Sequence, residues 1–134
     1  MTVISTQTAT FSYIRPDIIL VKIKEDAEID LLQSQHNFTA ILQLAQGHKY
    51  ATLVDARVHA SDTPESRAYS SHPDRQKPLI AMAIIVDSLP NKLIANFLIK
   101  FNKPSSPTRL FSDPDAALNW LTERVNEHNS SLAY

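Results

Sequence analysis

Cysteine is absent from this 134-residue chain, and glycine occurs once, at Gly47. Without thiols there is no disulfide framework, no thiolate nucleophile and no cysteine metal site, which fits a reducing compartment. A single glycine excludes both the GxGxxG turn and the P-loop, because each needs several glycines to bring backbone close to phosphate. No apolar run approaches the roughly 20 residues that cross a bilayer, so no membrane span is expected. The polar start, Met1 to Thr10, lacks the basic-then-apolar order of a signal peptide, which places the expected location in the cytoplasm. Neither sign of charge dominates: the formal net charge is −1. Broad attraction to nucleic acid or to an anionic membrane is not indicated. Aromatic residues interleaved with basic ones, the platform for single-stranded nucleic acid, are also missing.

The chain does have enough apolar residues, 43% of the total, to bury a core without a staple. Its length predicts one domain, with a core over about residues 10 to 125 and frayed ends. One pattern recurs three times. Apolar, strand-like runs at Tyr50–Asp55, Leu79–Asp87 and Thr108–Phe111 are each followed by a capping residue and a proline: Thr63-Pro64, Ser88 with Pro90, and Asp113-Pro114. Strands alternating with helices predict an α/β fold with parallel strands in its sheet. Ahead of them, Phe11 to Lys24 reads as a hairpin turning at Arg15-Pro16-Asp17. Asp26 to Gln46 reads as a helix with Ile29, Leu32, His36, Ala40, Ile41 and Leu44 on its inner face, and Gly47 supplies the positive φ beyond its end. Residues 58 to 78 read as a short helix from Pro64 to about Ser71 followed by mobile loop. Leu79 to Val86 alternates apolar residues on both faces, so both faces should be covered.

The helix expected from Ser88 to Asn102 is unusual. At about 100° per residue its apolar positions, among them Ile94 and Leu98, spread over roughly half the circumference, and Ile99 falls outside even that arc. Such a helix should touch something on two sides. The final helix from Pro114 needs only the stripe Ala117, Leu118, Leu121 and Val125, with Trp120 packing close by.

Few residues are candidates for chemistry. Asp55 and Asp87 end two strand-like runs, where ligands of parallel α/β sheets gather. They are an acid–base or cation-site candidate, but residues so placed serve more often as acceptors for the loop or helix start that follows, and that is the preferred reading. Ser88 lacks the Gly-x-Ser-x-Gly surroundings of a nucleophile elbow and reads as a helix cap. The five histidines, at 36, 48, 59, 72 and 128, include no i, i+4 pair, so no metal site is expected. Arg57, His59, Arg67, His72, Arg75 and Lys77 gather positive charge around residues 57 to 77. That group is a candidate for contact with phosphate or an acidic partner.

The segments Leu53-Val54-Asp55-Ala56-Arg57, Thr63-Pro64-Glu65, Ala83 to Ser88, and Phe111-Ser112-Asp113 with Ala116 to Leu121 carry a resemblance. In these stretches, and in its order of elements, the chain resembles the STAS-like fold of bacterial anti-sigma-factor antagonists. The resemblance implies a mixed sheet of four to five strands with an N-terminal hairpin and about four helices. Antagonists of this fold carry an Asp-Ser-Ser-Gly or Asp-Thr-Ser-Gly switch where this chain reads Asp55-Ala56-Arg57-Val58-His59, so the phosphorylated serine is not carried over.

Two functions are therefore expected. The first is a non-enzymatic regulatory or protein-interaction module that self-associates as a homodimer through Ile94, Leu98 and Ile99. The second is a small-ligand or lipid-binding domain with an apolar pocket beside the Ser88–Asn102 helix, using Asp55, Arg57, Asp87 and Ser88 as ligand or partner site and Arg57 as anion anchor. No catalytic residue and no cofactor is assigned in either.

Overall fold

Pro16 fixes one φ of the first turn and Asp17 takes the left-handed region at φ 65°, which reverses the chain as the sequence predicts. The structure, a computed structural model, describes residues 1–88, 93, 95, 96, 99, 100 and 102–132. Its elements in chain order are β1 (Ile4–Ser5), β2 (Ala9–Arg15), β3 (Ile18–Ile23), β4 (Ala27–Ile29), α1 (Leu31–Ala45), β5 (Tyr50–Asp55), β6 (Ala60–Asp62), α2 (Pro64–Ser70), α3 (Pro73–Gln76), β7 (Leu79–Ile85), β8 (Thr108–Phe111) and α4 (Pro114–Leu132). Leu93, Ala95, Asn96, Ile99, Lys100 and Asn102 are also helical. The remaining apolar positions of that arc, Ile94 and Leu98 among them, lie outside the described residues.

The fold is the mixed α/β, STAS-like one that the sequence predicts, but its sheet is larger. Six strands run in the order β1-β2-β3-β5-β7-β8, and β4 and β6 form a separate two-stranded ribbon. β1, β2 and β3 pair antiparallel, whereas β3, β5, β7 and β8 are parallel. β4 and β6 lie in segments that the sequence presents as helix start and loop. Their parallel pairing, Ala27 with Ala60 through Ile29 with Asp62, joins positions distant in sequence, which no local pattern signals. The first helix consequently begins later, after Asp30, whose carboxylate accepts from the Gln33 amide at 2.8 Å. It ends where Gln46 and Gly47 both take positive φ. Residues 58 to 78 hold β6 and α3 as well as α2. α3 is capped by His72, whose Nδ1 accepts from the Asp74 amide at 3.1 Å. α4 continues to Leu132.

Each face of the sheet has its own core. On one, Ile18, Ala51, Leu53, Ala81, Ala83, Ile85 and Phe111 pack against Ala117, Leu121 and Val125 of α4. Trp120 packs at the edge of this layer, 5.8 Å from the Phe111 ring. On the other, Phe11, Ile19, Val21, Tyr50 and Leu79 pack against Ala40, Ile41 and Ala45 of α1. The strict alternation expected along β7 is broken at its start. Tyr50 pairs with Leu79 and Thr52 with Met82, so β7 carries one residue more than β5 over the same span. This puts Leu79 on the α1 side together with Met82, while Ala81, Ala83 and Ile85 face α4.

The inner face of α1 also differs from expectation. Leu32 and His36 are exposed, and Ser34, Ala40, Ile41 and Ala45 are buried. Polar residues can occupy this face because they find partners. Asn37 Nδ2 donates to Thr8 Oγ1 at 2.9 Å, and Asn37 Oδ1 accepts from Thr6 Oγ1 at 2.6 Å.

Candidate ligand-binding cavity

On the α1 side the layers do not close completely. A cavity of about 300 Å³ lies between the sheet, α1, the α2–α3 segment and the helical residues Ala95, Ile99 and Asn102. Its apolar wall comes from β3 (Val21, Ile23), β5 (Val54) and β7 (Met82, Ile84), with Phe11 and Ile41 behind them. The extra residue in β7 keeps Leu79, Met82 and Ile84 on this side. Ile99, the residue outside the sequence-derived arc, lines the cavity. The breadth of apolar surface on that stretch therefore has a use inside the subunit.

Four polar side chains give the cavity its chemistry. Thr52, in the middle of β5, is 1% exposed, and its Oγ1 has no protein hydrogen-bond partner among the described residues. Tyr50, two residues earlier on the same face, is 2% exposed. Burial pushes its hydroxyl up to about 12, with the Arg75 charge pulling the other way and Tyr13 adding to the rise. Arg75 reaches the lining from α3. Its guanidinium lies 4.5 Å from the Phe38 ring centre and 5.2 Å from that of Tyr69, and these rings meet edge to face at 6.4 Å. Among the described residues its side chain makes one hydrogen bond, from Nη1 to Ser34 Oγ at 3.3 Å, and no ion pair. Burial lowers its pKa below the usual arginine value, opposed by Tyr50, Tyr69 and Asp62. An arginine so lowered is still cationic at neutral pH. Asp62, at the end of β6, is exposed overall and belongs to the lining. Loss of water there raises its pKa, against a hydrogen bond from Ser66 and the charges of Arg67 and Arg75.

Gln76 fixes the α3 end of this wall. Its Nε2 donates to the Ser70 carbonyl at 2.9 Å, and its Oε1 accepts from the Ser106 amide at 2.9 Å. Ser106 Oγ in turn donates to the Leu79 carbonyl at 2.9 Å. Loop, helix and strand are thereby held in register around the opening.

The residues singled out at the strand ends sit elsewhere. Asp55 is gripped by Arg57, which donates from Nε at 3.0 Å, from Nη2 at 2.9 Å and from its own amide at 3.2 Å. These bonds hold the Asp55 carboxyl below its ordinary range, and Asp87 adds to the field on Arg57. None of Asp55, Arg57, Asp87 and Ser88 lines the cavity. Arg57, the expected anion anchor, is paired with a carboxylate two residues away and lies outside the cavity lining, which Arg75 reaches. Asp55 and Ser88 both carry interactions, so neither stands as an idle reactive group. Among the described residues no three His, Asp or Glu side chains gather to hold a metal, and no helix is long and apolar enough to cross a membrane.

Order of elements, sheet topology and the helices on both faces define a SpoIIAA-like, or STAS-like, domain. The structure is similar to that of an uncharacterized protein from the DUF3478 family with a SpoIIAA-like fold, from Shewanella loihica PV-4. The TM-score is 0.58 at 13% identity, with 90% of each chain covered. Within this fold the chain belongs to the family described as Domain of unknown function (DUF7793), whose model matches residues 12–125. No curated protein matches its sequence.

Proposed function

We propose that this domain is a non-enzymatic binding module that takes a small, largely apolar ligand into the cavity between the sheet and α1. The observation that carries the reading is Thr52. A buried hydroxyl left without a partner costs about 1–3 kcal/mol, and core positions seldom tolerate that loss. Valine would fill the same place in a strand without it. A ligand that bonds the hydroxyl removes the penalty; Thr52 lines the cavity, and because its Oγ1 is closed to solvent the side chain must turn to meet the ligand. The cavity holds roughly ten water-sized groups at ~30 Å³ each, and its volume is at the lower end of small-molecule sites.

Native mass spectrometry with a panel of medium-chain amphiphiles tests this. A one-to-one adduct is expected with the wild type and not with Val54→Phe, which fills the cavity from β5 while adding only apolar volume. Adducts that persist unchanged in Val54→Phe would show that binding occurs elsewhere.

Self-association is a second reading. It is favoured by Leu93, a helical residue that is 62% exposed beside the stretch bearing Ile94, Leu98 and Ile99. It draws less support, since Ile99 faces inward. Sedimentation that gives monomer alone at micromolar concentrations would remove it.

A further inference from the structure

We infer that the ligand is a monoanionic amphiphile with a carboxylate head, held by Arg75, and an apolar body lying along Val21, Val54, Met82 and Ile84. The inference rests on the cavity being a ligand site and adds the chemistry of the occupant.

The placement of Arg75 supplies the argument. Phe38 and Tyr69 take up the guanidinium through its π system. The five N–H donors of an arginine lie in the guanidinium plane, and contact with a ring takes up none of them as a conventional hydrogen bond; Phe38 and Tyr69 stand at 79° to each other, so at most one of them can lie against a guanidinium face. Ser34 accepts from one nitrogen. The remaining donors have no protein acceptor among the described residues, although the side chain is withdrawn from water enough to depress its pKa. A planar fork beside two rings, with donors that no protein acceptor among the described residues takes, matches a carboxylate, which accepts two parallel N–H bonds. Charge limits the head group to a single negative charge. Asp62 shares this space with two cations, Arg67 and Arg75, so the lining carries one net positive charge and matches one negative charge on the ligand. Beyond the head, the β3, β5 and β7 side chains offer no charge. Thr52 Oγ1 is then left to bond a second polar atom of the ligand, or the head group itself.

Calorimetric titration with decanoate, decanol and decyl phosphate, on the wild type, Arg75→Lys and Arg75→Met, tests the assignment. The wild type is expected to bind decanoate about 10- to 100-fold more tightly than decanol, the range of a charge-assisted pair. Decyl phosphate is expected to bind less tightly than decanoate. Arg75→Lys should keep part of the preference over decanol, and Arg75→Met should abolish it while changing decanol affinity by less than about twofold. Equal binding of decanoate and decanol by the wild type would overturn the head-group assignment and leave the cavity reading intact. Tighter binding of decyl phosphate would replace the carboxylate with a phosphate head. Binding of none of the three would defeat both readings. The wild-type comparison decides the question even if Arg75→Met fails to fold.

Discussion

Replacing Thr52 with valine separates what the cavity costs the fold from what it gives to binding. The change exchanges a hydroxyl for a methyl on a β-branched side chain, so strand preference and χ1 restriction are retained. Thr52 is 1% exposed, and its Oγ1 has no protein hydrogen-bond partner among the described residues. Removing an unpaired buried hydroxyl should return about 1–3 kcal/mol, and a newly buried methyl contributes up to about 0.8 kcal/mol more. Thr52→Val is therefore expected to be more stable than the wild type by about 1–4 kcal/mol in urea unfolding. At about 4 °C per kcal/mol for a domain of this size, its Tm should rise correspondingly. The same variant should bind decanoate about fivefold more weakly, the worth of one neutral hydrogen bond. Gain in stability with loss of affinity is the pattern of a residue kept for function. A variant less stable than the wild type by 1 kcal/mol or more would refute the reasoning, because it would mean that the hydroxyl already has a partner in the free protein.

Leu121→Ala, at a fully buried position of α4 against β5 and β7, should cost about 2.7–5 kcal/mol by denaturant unfolding and leave ligand affinity unchanged, since it lies on the opposite face of the sheet. The Tyr50 hydroxyl, raised to about 12, favours the neutral phenol in the fold. Its contribution is complete below about pH 10 and is lost as pH rises through the folded value. Phenolate absorbance should accordingly show a late step near that value, carrying one of the four tyrosines and missing in Tyr50→Phe. The Asp55 carboxyl is depressed by Arg57, so its contribution is present above the ordinary carboxylate value of about 3.9 and fades as pH falls through its lower folded value. Asp55→Asn should flatten the decline of stability in that acid range. Asp62 is raised, which has the opposite sign: its ionisation weakens the fold as pH rises through the folded value, and Asp62→Asn should be the more stable protein at neutral pH.

The elements that sequence patterning recovers are those whose cause is local. Thr63, Asp113 and the prolines after them mark the starts of α2 and α4, and in each case the cap accepts the amide that the pattern implies. β5, β7 and β8 are continuous apolar runs flanked by turn residues, which is how buried parallel strands read. What escapes is set by partners distant in the chain. Ala27–Ile29 becomes a strand only because Ala60–Asp62 lies alongside it. His36 and Leu32 look like core on a helical wheel, but the helix is rotated so that Ser34 and Asn37 face inward, where Arg75, Thr6 and Thr8 satisfy them.

The candidate site divides in the same way. A surplus of apolar surface near Ile99 and on both faces of Leu79–Val86 is legible in the chain, and its α1-side part, Leu79, Met82, Ile84 and Ile99, lines the cavity. Which cation serves that space is not legible, because Arg57 and Arg75 belong to one basic stretch. Only the fold shows Arg57 closed onto Asp55 and Arg75 set beside two rings with a single side-chain hydrogen bond among the described residues. Thr52 gives no sequence signal at all, since a threonine inside a strand is ordinary and its lack of a partner is a fact of three dimensions.

Methyl NMR during a decanoate titration tests the central claim most directly. Resonances of Val21, Val54, Met82, Ile84 and Ile99 should shift together to a common saturation point, while those of Leu121 and Val125 behind the sheet stay still. Shifts confined to the exposed Leu42 and Leu132, or to the α4 layer, would place the ligand outside the cavity and contradict the account.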